Sequence, residues 1–362
     1  MPSTPVRIEA LGKRFGDFTA LQDVNLALAE GEFFTLLGSS GCGKTTLLRI
    51  VAGFLKQTSG QVRFGDRPID DVPAHRRNTG MVFQNYAIFP HLTVRDNIAY
   101  GLHARHLPAA EIERRVARML AVTRLDELAH RRPKELSGGQ QQRVVLARAV
   151  VIEPDVLLMD EPLSNLDAEM RVHLRNEIRA LQRKIGVTTI YVTHDQEEAL
   201  SLSDRIAVIQ RGRIEQVGTP HEIFNEPATR FVAGFIGESN FVPARRTGET
   251  ARDGTVAFVV PGGARLRVPV RRLRSGDEAM SLAFRPHQVR LGPPASGADL
   301  NGEVVDAIYT GASVRYSVRI DPDCDVTCLA LLGEDIVPLA IGARVGVHVP
   351  ADAITAFPVE RA

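Results

Sequence analysis

A glycine-rich stretch between residues 38 and 46 has the spacing of a phosphate-binding loop. In FFTLLGSSGCGKTTLLRIVAGF, Gly38 is followed by four residues and then by Gly43, Lys44 and Thr45. Glycines let backbone N–H groups converge on a phosphate, a lysine reaches the β and γ oxygens, and a threonine hydroxyl can bind Mg²⁺. A strand pattern before the loop and a helix pattern after it complete the expected context. The predicted nucleotide-binding residues are Gly38, Ser39, Ser40, Gly41, Cys42, Gly43, Lys44, Thr45 and Thr46.

An acidic pair follows a second apolar strand pattern. The segment DVLLMDE ends in Asp160 and Glu161. Open α/β sheets bind ligands at the carboxyl edge of their strands, so Asp160 is predicted to help hold Mg²⁺ and Glu161 to polarise the attacking water as a general base. Such a pair is more often a cap or a loop than a site, but the phosphate loop reverses that ratio. Together the two segments predict nucleotide hydrolysis or transfer.

The segment LSGGQ, residues 136–140, lies at the head of a predicted helix that starts near Gly139. A helix N-terminus offers unpaired N–H groups and partial positive charge to a phosphate. A serine N-cap followed by turn glycines is the structural alternative. The string LSGGQQQRVVLARAV, followed by DEPLSNLD and then THD, resembles the ATPase subunit of ATP-binding cassette (ABC) transporters. The resemblance extends through the first two-thirds of the chain.

The resemblance implies that the nucleotide is ATP, that the metal is Mg²⁺ and that the chain forms a homodimer around two ATP molecules. In that family, the signature loop of one subunit closes over the γ-phosphate held by the phosphate loop of the other, and hydrolysis releases the pair. The residues of this chain that match the signature loop are Ser137, Gly138, Gly139 and Gln140.

Other positions take their predicted roles from the same resemblance. Gln84 matches the residue that senses Mg²⁺ and the attacking water, and His194 matches the switch histidine that contacts the γ-phosphate. Asp167 matches a loop that crosses the dimer interface, or it simply caps the helix that follows. Phe15 stands where the family stacks an aromatic ring on adenine, although Phe18 is a competitor and a core role is an alternative. The predicted catalytic residues are Glu161, His194, Gln84 and Lys44, and the predicted Mg²⁺ ligands are Thr45, Gln84 and Asp160.

The pattern of the chain changes near residue 240. Before it, apolar runs such as TTIYVTH alternate with helix patterns such as AEMRVHLRNEIRALQRKI, which predicts a mostly parallel sheet covered on both faces. Beyond it, short alternating runs punctuated by Gly and Pro predict an all-β domain. We therefore predict an α/β P-loop NTPase cassette at residues 1–238 and a small all-β domain at residues 239–362. The resemblance implies a helical signature subdomain in the cassette, and the tail resembles an OB-like (TOBE) regulatory domain.

Composition sets limits on the partners and the compartment. The 362 residues carry a formal net charge of +1, so no global field attracts nucleic acid or anionic lipid, and no nucleic-acid partner is expected. The N-terminus lacks the apolar core of a signal peptide, and no run approaches the roughly 20 apolar residues that span a bilayer. Three cysteines fit a reducing compartment, with Cys324 and Cys328 as strand residues. These features predict a cytosolic or peripheral protein, and the family resemblance implies a peripheral location on the cytoplasmic face of the bacterial inner (cell) membrane.

The class of cassette protein follows from what accompanies the motifs. The sequence between Thr45 and Ser137 is too short to contain the long coiled coils of chromosome-maintenance relatives. Translation-factor relatives carry two cassettes in one chain, and only one is found here. Exporters often fuse a membrane-spanning segment to the cassette, and none is predicted here. The end of the cassette and the tail segment FRPHQVRL resemble importers of sugars, polyamines, ferric iron and phosphonates. This implies an energy-coupling ATPase docked through residues 85–107 on two transmembrane permease subunits and fed indirectly by an external solute-binding protein. Spermidine or putrescine, ferric iron or 2-aminoethylphosphonate are the expected solutes, with sugars less favoured. The alternative is a soluble cassette protein with a regulatory or assembly role.

Overall fold

The computed structural model describes residues 3–85, 87–294, 298–332 and 338–359. The chain forms two compact units, Met1–His221 and Glu222–Ala362. In the first unit the strands are β1 (Val6–Phe15), β2 (Phe18–Leu28), β3 (Phe33–Leu37), β4 (Ser59–Phe64), β5 (Arg67–Pro68), β6 (Thr79–Val82), β7 (Val156–Asp160), β8 (Thr188–Thr193), β9 (Arg205–Gln210) and β10 (Arg213–Gly218). Its helices are α1 (Lys44–Ala52), α2 (Val94–Ala104), α3 (Ala109–Thr123), α4 (Gly138–Val150), α5 (Ala168–Ile185) and α6 (Gln196–Leu202).

A six-stranded sheet in the order β10-β9-β3-β8-β7-β6 forms the centre of the first unit. All its neighbouring strands are parallel except β10 and β9. In β7, Val156 and Leu158 join a core with α1, whereas Leu157 and Met159 join a core with α2 to α5. A strand buried on both faces reads as a continuous apolar run, which explains why DVLLMD carries no alternation. The predicted mostly parallel sheet with two covered faces is confirmed.

A second sheet of the first unit was not predicted. Strands β2, β1, β4 and β5 form an antiparallel sheet in that order. In β1, Val6 and Ile8 are buried while Arg7 and Glu9 are exposed, which is the alternation of a sheet with one face in water. This period-two pattern in VRIEA was the sequence signal that could have revealed the sheet.

The predicted helical subdomain lies between β6 and β7 in the chain. Helices α2, α3 and α4 share one apolar core, to which Ile98, Val116 and Val145 each contribute a buried side chain. The chain therefore leaves the sheet at the end of β6, builds this helical layer and returns through β7.

The second unit is mainly antiparallel β-structure, as predicted. Among the described residues its two sheets have the orders β13-β12-β11-β14-β20 and β15-β19-β16-β17-β18, and their inner faces share one core. No helix in the described part of the chain is long and apolar enough to cross a membrane. The elements from the junction onward are α7 (Pro220–Asn225), α8 (Arg230–Phe235), β11 (Asn240–Thr250), β12 (Thr255–Val259), β13 (Arg265–Pro269), β14 (Ala279–Phe284), β15 (Arg290–Gly292), β16 (Leu300–Tyr309), β17 (Ser313–Asp321), β18 (Cys324–Leu331), β19 (Arg344–His348) and β20 (Thr355–Pro358).

The second compact unit begins before the predicted domain boundary at residue 239. The buried Arg285 side chain donates from Nη1 to the carbonyl oxygen of Ala233 at 2.9 Å and from Nη2 to that of Phe224 at 2.8 Å. Burial lowers the pKa of Arg285 to about 10. Because the Arg285 guanidinium donates to one carbonyl oxygen near the end of α7 and to one near the end of α8, both helix ends pack with the β-rich unit. The helical periodicity of these residues had placed them with the cassette.

Candidate functional site

The parallel sheet brings four predicted site segments to one edge. Gly38 follows β3, His194 follows β8, Asp160 ends β7 and Gln84 lies two residues beyond β6. These strands are neighbours in the order β3-β8-β7-β6, and the pairings Leu37 with Thr193 and Asp160 with Val192 align their carboxyl ends. Ligands of open α/β sheets bind at this edge. The segments are far apart in sequence and adjacent in space.

The phosphate-loop backbone requires glycine where it turns into α1. Gly43 has φ 110°, a conformation that side chains with a Cβ rarely adopt. A Cβ on Gly43 would lie 2.7 Å from Cδ2 of Leu21 and 2.8 Å from the carbonyl oxygen of Ala20. Helix α1 begins at the next residue, Lys44. Its first N–H groups therefore point toward the loop, where they can bind an anion.

Lys44 is buried within the same loop. Its Nζ donates to the carbonyl oxygens of Gly38 at 2.7 Å and Ser39 at 2.9 Å, and it lies 3.8 Å from Sγ of Cys42. Cys42 is also buried, so its side chain helps to build the loop. The loop thus holds a positive charge next to converging N–H groups, which is the electrostatic requirement for binding phosphate.

Two of the three predicted metal ligands are in contact. Thr45 donates from Oγ1 to Oδ1 of Asp160 at 3.1 Å. Burial raises the pKa of Asp160, and the hydrogen bond from Thr45 opposes part of that rise. A hydroxyl and a carboxylate are oxygen donors of the kind that Mg²⁺ prefers, and Mg²⁺ usually completes its shell with water and substrate phosphates. Consistently, the described residues include no group of three or more His, Cys, Asp or Glu side chains that could hold a metal by itself.

The predicted base and the predicted switch residue contact each other. Oε2 of Glu161 lies 3.1 Å from Nδ1 of His194. Glu161 has a left-handed backbone with φ 44°, and its N–H donates to the carbonyl oxygen of Val192 at 3.0 Å. A carboxylate at this distance favours a proton on Nδ1, which then donates to it. Nε2 of the half-exposed ring is the nitrogen left for another partner.

Gln84 is exposed at the same edge and is linked to the loop after Glu161. Its carbonyl oxygen accepts a hydrogen bond from Nδ2 of Asn165 at 2.9 Å. Asn165 belongs to the segment DEPLSNLD, but the sequence analysis gave it no role. The contact joins the segment after β6 to the segment after β7, which begins with Glu161.

The signature residues form a helix start of ordinary geometry. Ser137 caps α4: its Oγ accepts from the N–H of Gln140 at 3.4 Å, and Oε1 of Gln140 accepts from the N–H of Ser137 at 3.0 Å. The helix begins at Gly138, one residue before the predicted start. A Cβ on Gly139 would lie 3.2 Å from Sδ of Met170, so this glycine lets α5 approach α4 closely. The structural alternative of a serine cap is therefore correct locally, and it is compatible with anion binding at the same end.

Asp167 and Phe15 also have clear local environments. Asp167 caps α5 by accepting from the N–H of Met170 at 2.8 Å, as the structural alternative anticipated. Phe15 and Phe18 pair next to the turn of the β1–β2 hairpin, and both rings are exposed. Nζ of Lys13 lies 4.8 Å from the centre of the Phe15 ring. A core role for Phe15 does not fit this exposure, whereas both rings offer a face for stacking.

A buried network beside His194 escaped the sequence analysis. Oε2 of Glu198 accepts hydrogen bonds from the hydroxyls of Tyr191 and Thr193, each at 2.8 Å. Burial raises the pKa of Glu198, while the two donors favour its charged form. The network joins the end of β8 to α6 and so fixes the turn that carries His194. A glutamate on the apolar face of the EEALSL helix was the available signal.

The fold and the site together define a P-loop ATPase. A family model described as ABC transporter matches residues 21–164, and one described as TOBE domain matches residues 282–357. The spermidine/putrescine import ATP-binding protein PotA of Thermobifida fusca is 46% identical over 89% of this chain and 84% of its own length. The Fe(3+) ions import ATP-binding protein FbpC of Rhizobium etli is 46% identical over 87% of this chain and 88% of its own length.

A solved structure agrees with these relatives. The ATP-binding cassette MJ0796, in a dimeric post-hydrolysis state bound to ADP and Pi, is 31% identical with a TM-score of 0.52 and covers 59% of this chain and 98% of that one. The present chain belongs to the family of ATP-binding subunits of ABC importers with a TOBE domain. The predicted function, an ATPase coupled to import, is confirmed.

Proposed function

We propose that the loops at the carboxyl edge of the parallel sheet are the catalytic site of this ATPase. The observation that carries the proposal is the pair of contacts on either side of the β7 terminus. Thr45 meets Asp160 at 3.1 Å, and Glu161 meets His194 at 3.1 Å. These two contacts support a site in which a pair of metal ligands and a base with its partner lie on adjacent loops.

Each residue of this site has a chemical task. Lys44 and the N–H groups at the start of α1 neutralise and orient the phosphates. Thr45, Asp160 and Gln84 hold Mg²⁺, which supplies charge neutralisation on the transferred phosphoryl group when it is bound. Glu161 takes a proton from the attacking water. Glu161 holds His194 through Nδ1, and His194 contacts the γ-phosphate through its other ring nitrogen, Nε2.

We propose a homodimer in which each signature loop completes the site of the partner. Ser137 and Gln140 fix the start of α4, where Ser137 is exposed, Gly138 is half-buried and Gly139 is buried, so the helix N-terminus reaches the surface at Ser137 and Gly138. The dimeric state of the MJ0796 cassette supports the dimer of this proposal. Asp167 lies at the start of α5, beside the signature helix, where it fits the predicted interface role. Phe15, with Phe18 as the alternative, stacks on adenine.

The proposed assembly places the dimer on the cytoplasmic face of the membrane, bound to two permease subunits that receive solute from an external binding protein. The predicted docking segment, residues 85–107, carries the exposed ring of Tyr100. Tyr86, in the same segment, lies outside the described residues. We further propose that residues 1–238 supply the ATPase domain and residues 239–362 the regulatory domain.

The proposed solute is a polyamine or ferric iron. The two relatives that support this choice have equal identity to the chain, and their names give spermidine/putrescine and Fe(3+) ions respectively. The third expected solute, 2-aminoethylphosphonate, is retained as a test compound. A soluble regulatory cassette is the alternative function, and it predicts ATPase activity without a permease partner.

Reconstitution tests the assembly and the solute together. The chain is co-purified with the permease subunits encoded beside it and placed in lipid, and ATPase turnover is measured with binding proteins loaded with spermidine, ferric iron or 2-aminoethylphosphonate. Stimulation by one loaded protein establishes import of that solute. A complex that no loaded protein stimulates refutes the solute proposal, and an active ATPase that never binds a permease favours the soluble cassette. Lys44→Ala, which removes the charge facing the phosphates, gives the inactive baseline.

A further inference from the structure

The segment that follows Gln84 is held as a rigid loop by one buried side chain. We define the coupling loop as residues 87–93, which connect the β6 region to α2 and contain no helix or strand. Asn97, fully buried on α2, donates from Nδ2 to the carbonyl oxygens of Phe89 and Thr93, each at 3.0 Å. Its Oδ1 accepts from the N–H of Phe89 at 2.9 Å. Because the Asn97 side chain is fully buried and both donates to and accepts from the loop backbone, the coupling loop is expected to move as one piece with the start of α2.

A second side chain ties the coupling loop to the signature helix. Arg148, near the end of α4, donates from Nη1 to the carbonyl oxygen of Ala87 at 2.9 Å. Its guanidinium also lies 4.8 Å from the centre of the Phe89 ring, which in turn packs on Tyr100 with ring centres 4.4 Å apart. Burial lowers the pKa of Arg148. Because the guanidinium is partly withdrawn from water, its electrostatic interactions with the Ala87 carbonyl and the Phe89 ring are stronger than they would be in solvent.

The two ends of α4 therefore serve different loops. Ser137 caps the N-terminal end, and Arg148 holds the coupling loop eleven residues later, about 16 Å along an α-helix. Between them, Val145 and Leu146 are buried in the same core as Ile98 of α2. Apolar packing lets helices slide past one another, but a hydrogen bond and a cation over a ring fix direction and register. Arg148 supplies such a polar link between the coupling loop and α4.

We propose that Arg148 is a positioning residue that transmits permease docking at the coupling loop to the signature end of α4. The inference rests on the proposed function, since it takes the coupling loop as part of the docking surface. A displacement of the loop pulls Arg148 and with it the helix whose other end presents Ser137 and Gly138. The described contacts of Arg148 given above are with Ala87 and Phe89, neither of which is a predicted nucleotide contact, so its role is assigned to coupling and not to the chemical step.

The test compares two arginine deletions in the intact transporter. Arg148→Ala removes both contacts with the coupling loop. Arg115→Ala is the matched control, because Arg115 lies on α3 of the same subdomain and pairs with Glu153 at 3.1 Å and with Glu111, neither of which belongs to the coupling loop. Each variant is assayed for ATPase activity alone, for ATPase activity in the permease complex with loaded binding protein, and for thermal unfolding. The quantity that decides is the ratio of coupled to isolated activity.

We expect Arg148→Ala to lower this ratio about tenfold or more while its isolated activity stays within threefold of the parent, and Arg115→Ala to leave the ratio within twofold. Arg148→Lys, which keeps a cation over Phe89, should recover part of the ratio. A purely structural role predicts a lower unfolding temperature and lower activity in both states with the ratio unchanged. That result for Arg148→Ala overturns the proposal.

If Arg148→Ala does not fold or assemble, Phe89→Leu takes its place, because it removes the ring under the guanidinium and keeps apolar volume. Because Phe89 also lies in the proposed docking segment, the amount of permease that co-purifies is measured as well: a lower ratio with parental permease binding supports the link, and a parental ratio refutes it. The parent complex is measured first. If the parent binds no permease or is not stimulated, the proposed function fails and the Arg148 proposal fails with it. If the parent and the Arg148→Ala variant are stimulated equally, only the Arg148 proposal fails.

Discussion

Replacement of Glu161 by glutamine separates chemistry from binding at this site. Glutamine has nearly the same shape, and it can occupy the left-handed backbone at φ 44° as well as glutamate does. Its amide can still form a hydrogen bond with Nδ1 of His194, which in the parent lies 3.1 Å from the Glu161 carboxylate. The change from a charge-assisted to a neutral hydrogen bond costs about 1 kcal/mol, which is about fivefold in an equilibrium constant.

The loss of a general base is a larger effect. Proton transfer by a positioned base contributes about 10²–10⁴ in rate, or about 3–5 kcal/mol of barrier. We therefore expect Glu161→Gln to lower ATPase turnover by at least about a hundredfold while ATP affinity stays within about fivefold. Because ATP is then bound but not cleaved, the variant should accumulate as a closed dimer.

The assay measures single-turnover ATP cleavage, nucleotide affinity, and dimer formation by light scattering with ATP and Mg²⁺. Glu197→Gln is the matched control, since Glu197 is an exposed glutamate on the neighbouring helix α6 and pairs with Arg175 at 3.2 Å. It should change turnover by less than twofold. A Glu161→Gln rate within fivefold of the parent would refute the base role, and loss of ATP binding would mean that Glu161 acts mainly in holding the nucleotide.

Three further outcomes are expected. His194→Ala removes a half-exposed ring, so turnover should fall far more than nucleotide affinity, and an equal loss in both measurements would contradict a switch role. Gly43→Ala should destabilise the chain by about 2–4 kcal/mol in chemical denaturation and abolish ATP binding, because its Cβ strikes Leu21 and the Ala20 carbonyl oxygen at a φ of 110°. Gly41→Ala, where open space surrounds the Cβ, should cost only about 1–2 kcal/mol for its left-handed backbone, and equal costs would show that the contact is unimportant. Burial raises the pKa of Cys328 to about 11, so the folded chain keeps this thiol protonated where the unfolded chain ionises it, and the free energy of unfolding should fall by up to about 3 kcal/mol between about pH 9 and pH 11. Cys328→Ala should flatten that alkaline slope, and an unchanged slope would refute the assignment.

Local sequence rules were sufficient for the parts of the site that lie within one segment. The loop from Gly38 to Thr46 follows from glycine, lysine and threonine spacing between a strand and a helix, because phosphate binding there uses consecutive backbone groups. The buried strand before Asp160 follows from its unbroken apolar run. Ser137 and Asp167 were recognisable as caps for the same reason, since a cap bonds to N–H groups only three residues away.

Segments whose packing partners are distant in sequence were harder to assign. The alternating burial of β1 indicates an antiparallel sheet. The pattern of one strand does not show which other strands it pairs with, and β1 pairs with both β2 and β4. Helix α8 has helical periodicity like the cassette helices, yet the buried guanidinium of Arg285 joins it to the β-rich unit. In both cases the deciding partner is distant in sequence, so no local pattern contains it.

The sequence by itself determined which residue types are available for phosphate, metal and proton chemistry, and in which order along the chain they occur. The tertiary structure alone decided which of them touch. The order of strands β3-β8-β7-β6 sets Glu161 beside His194 and Thr45 beside Asp160, and the packing of α4 against the coupling loop sets Arg148 on Phe89. The physical reason is that strand order and helix packing are fixed by burial of whole faces, a property of the assembled sheet and core that no single segment carries.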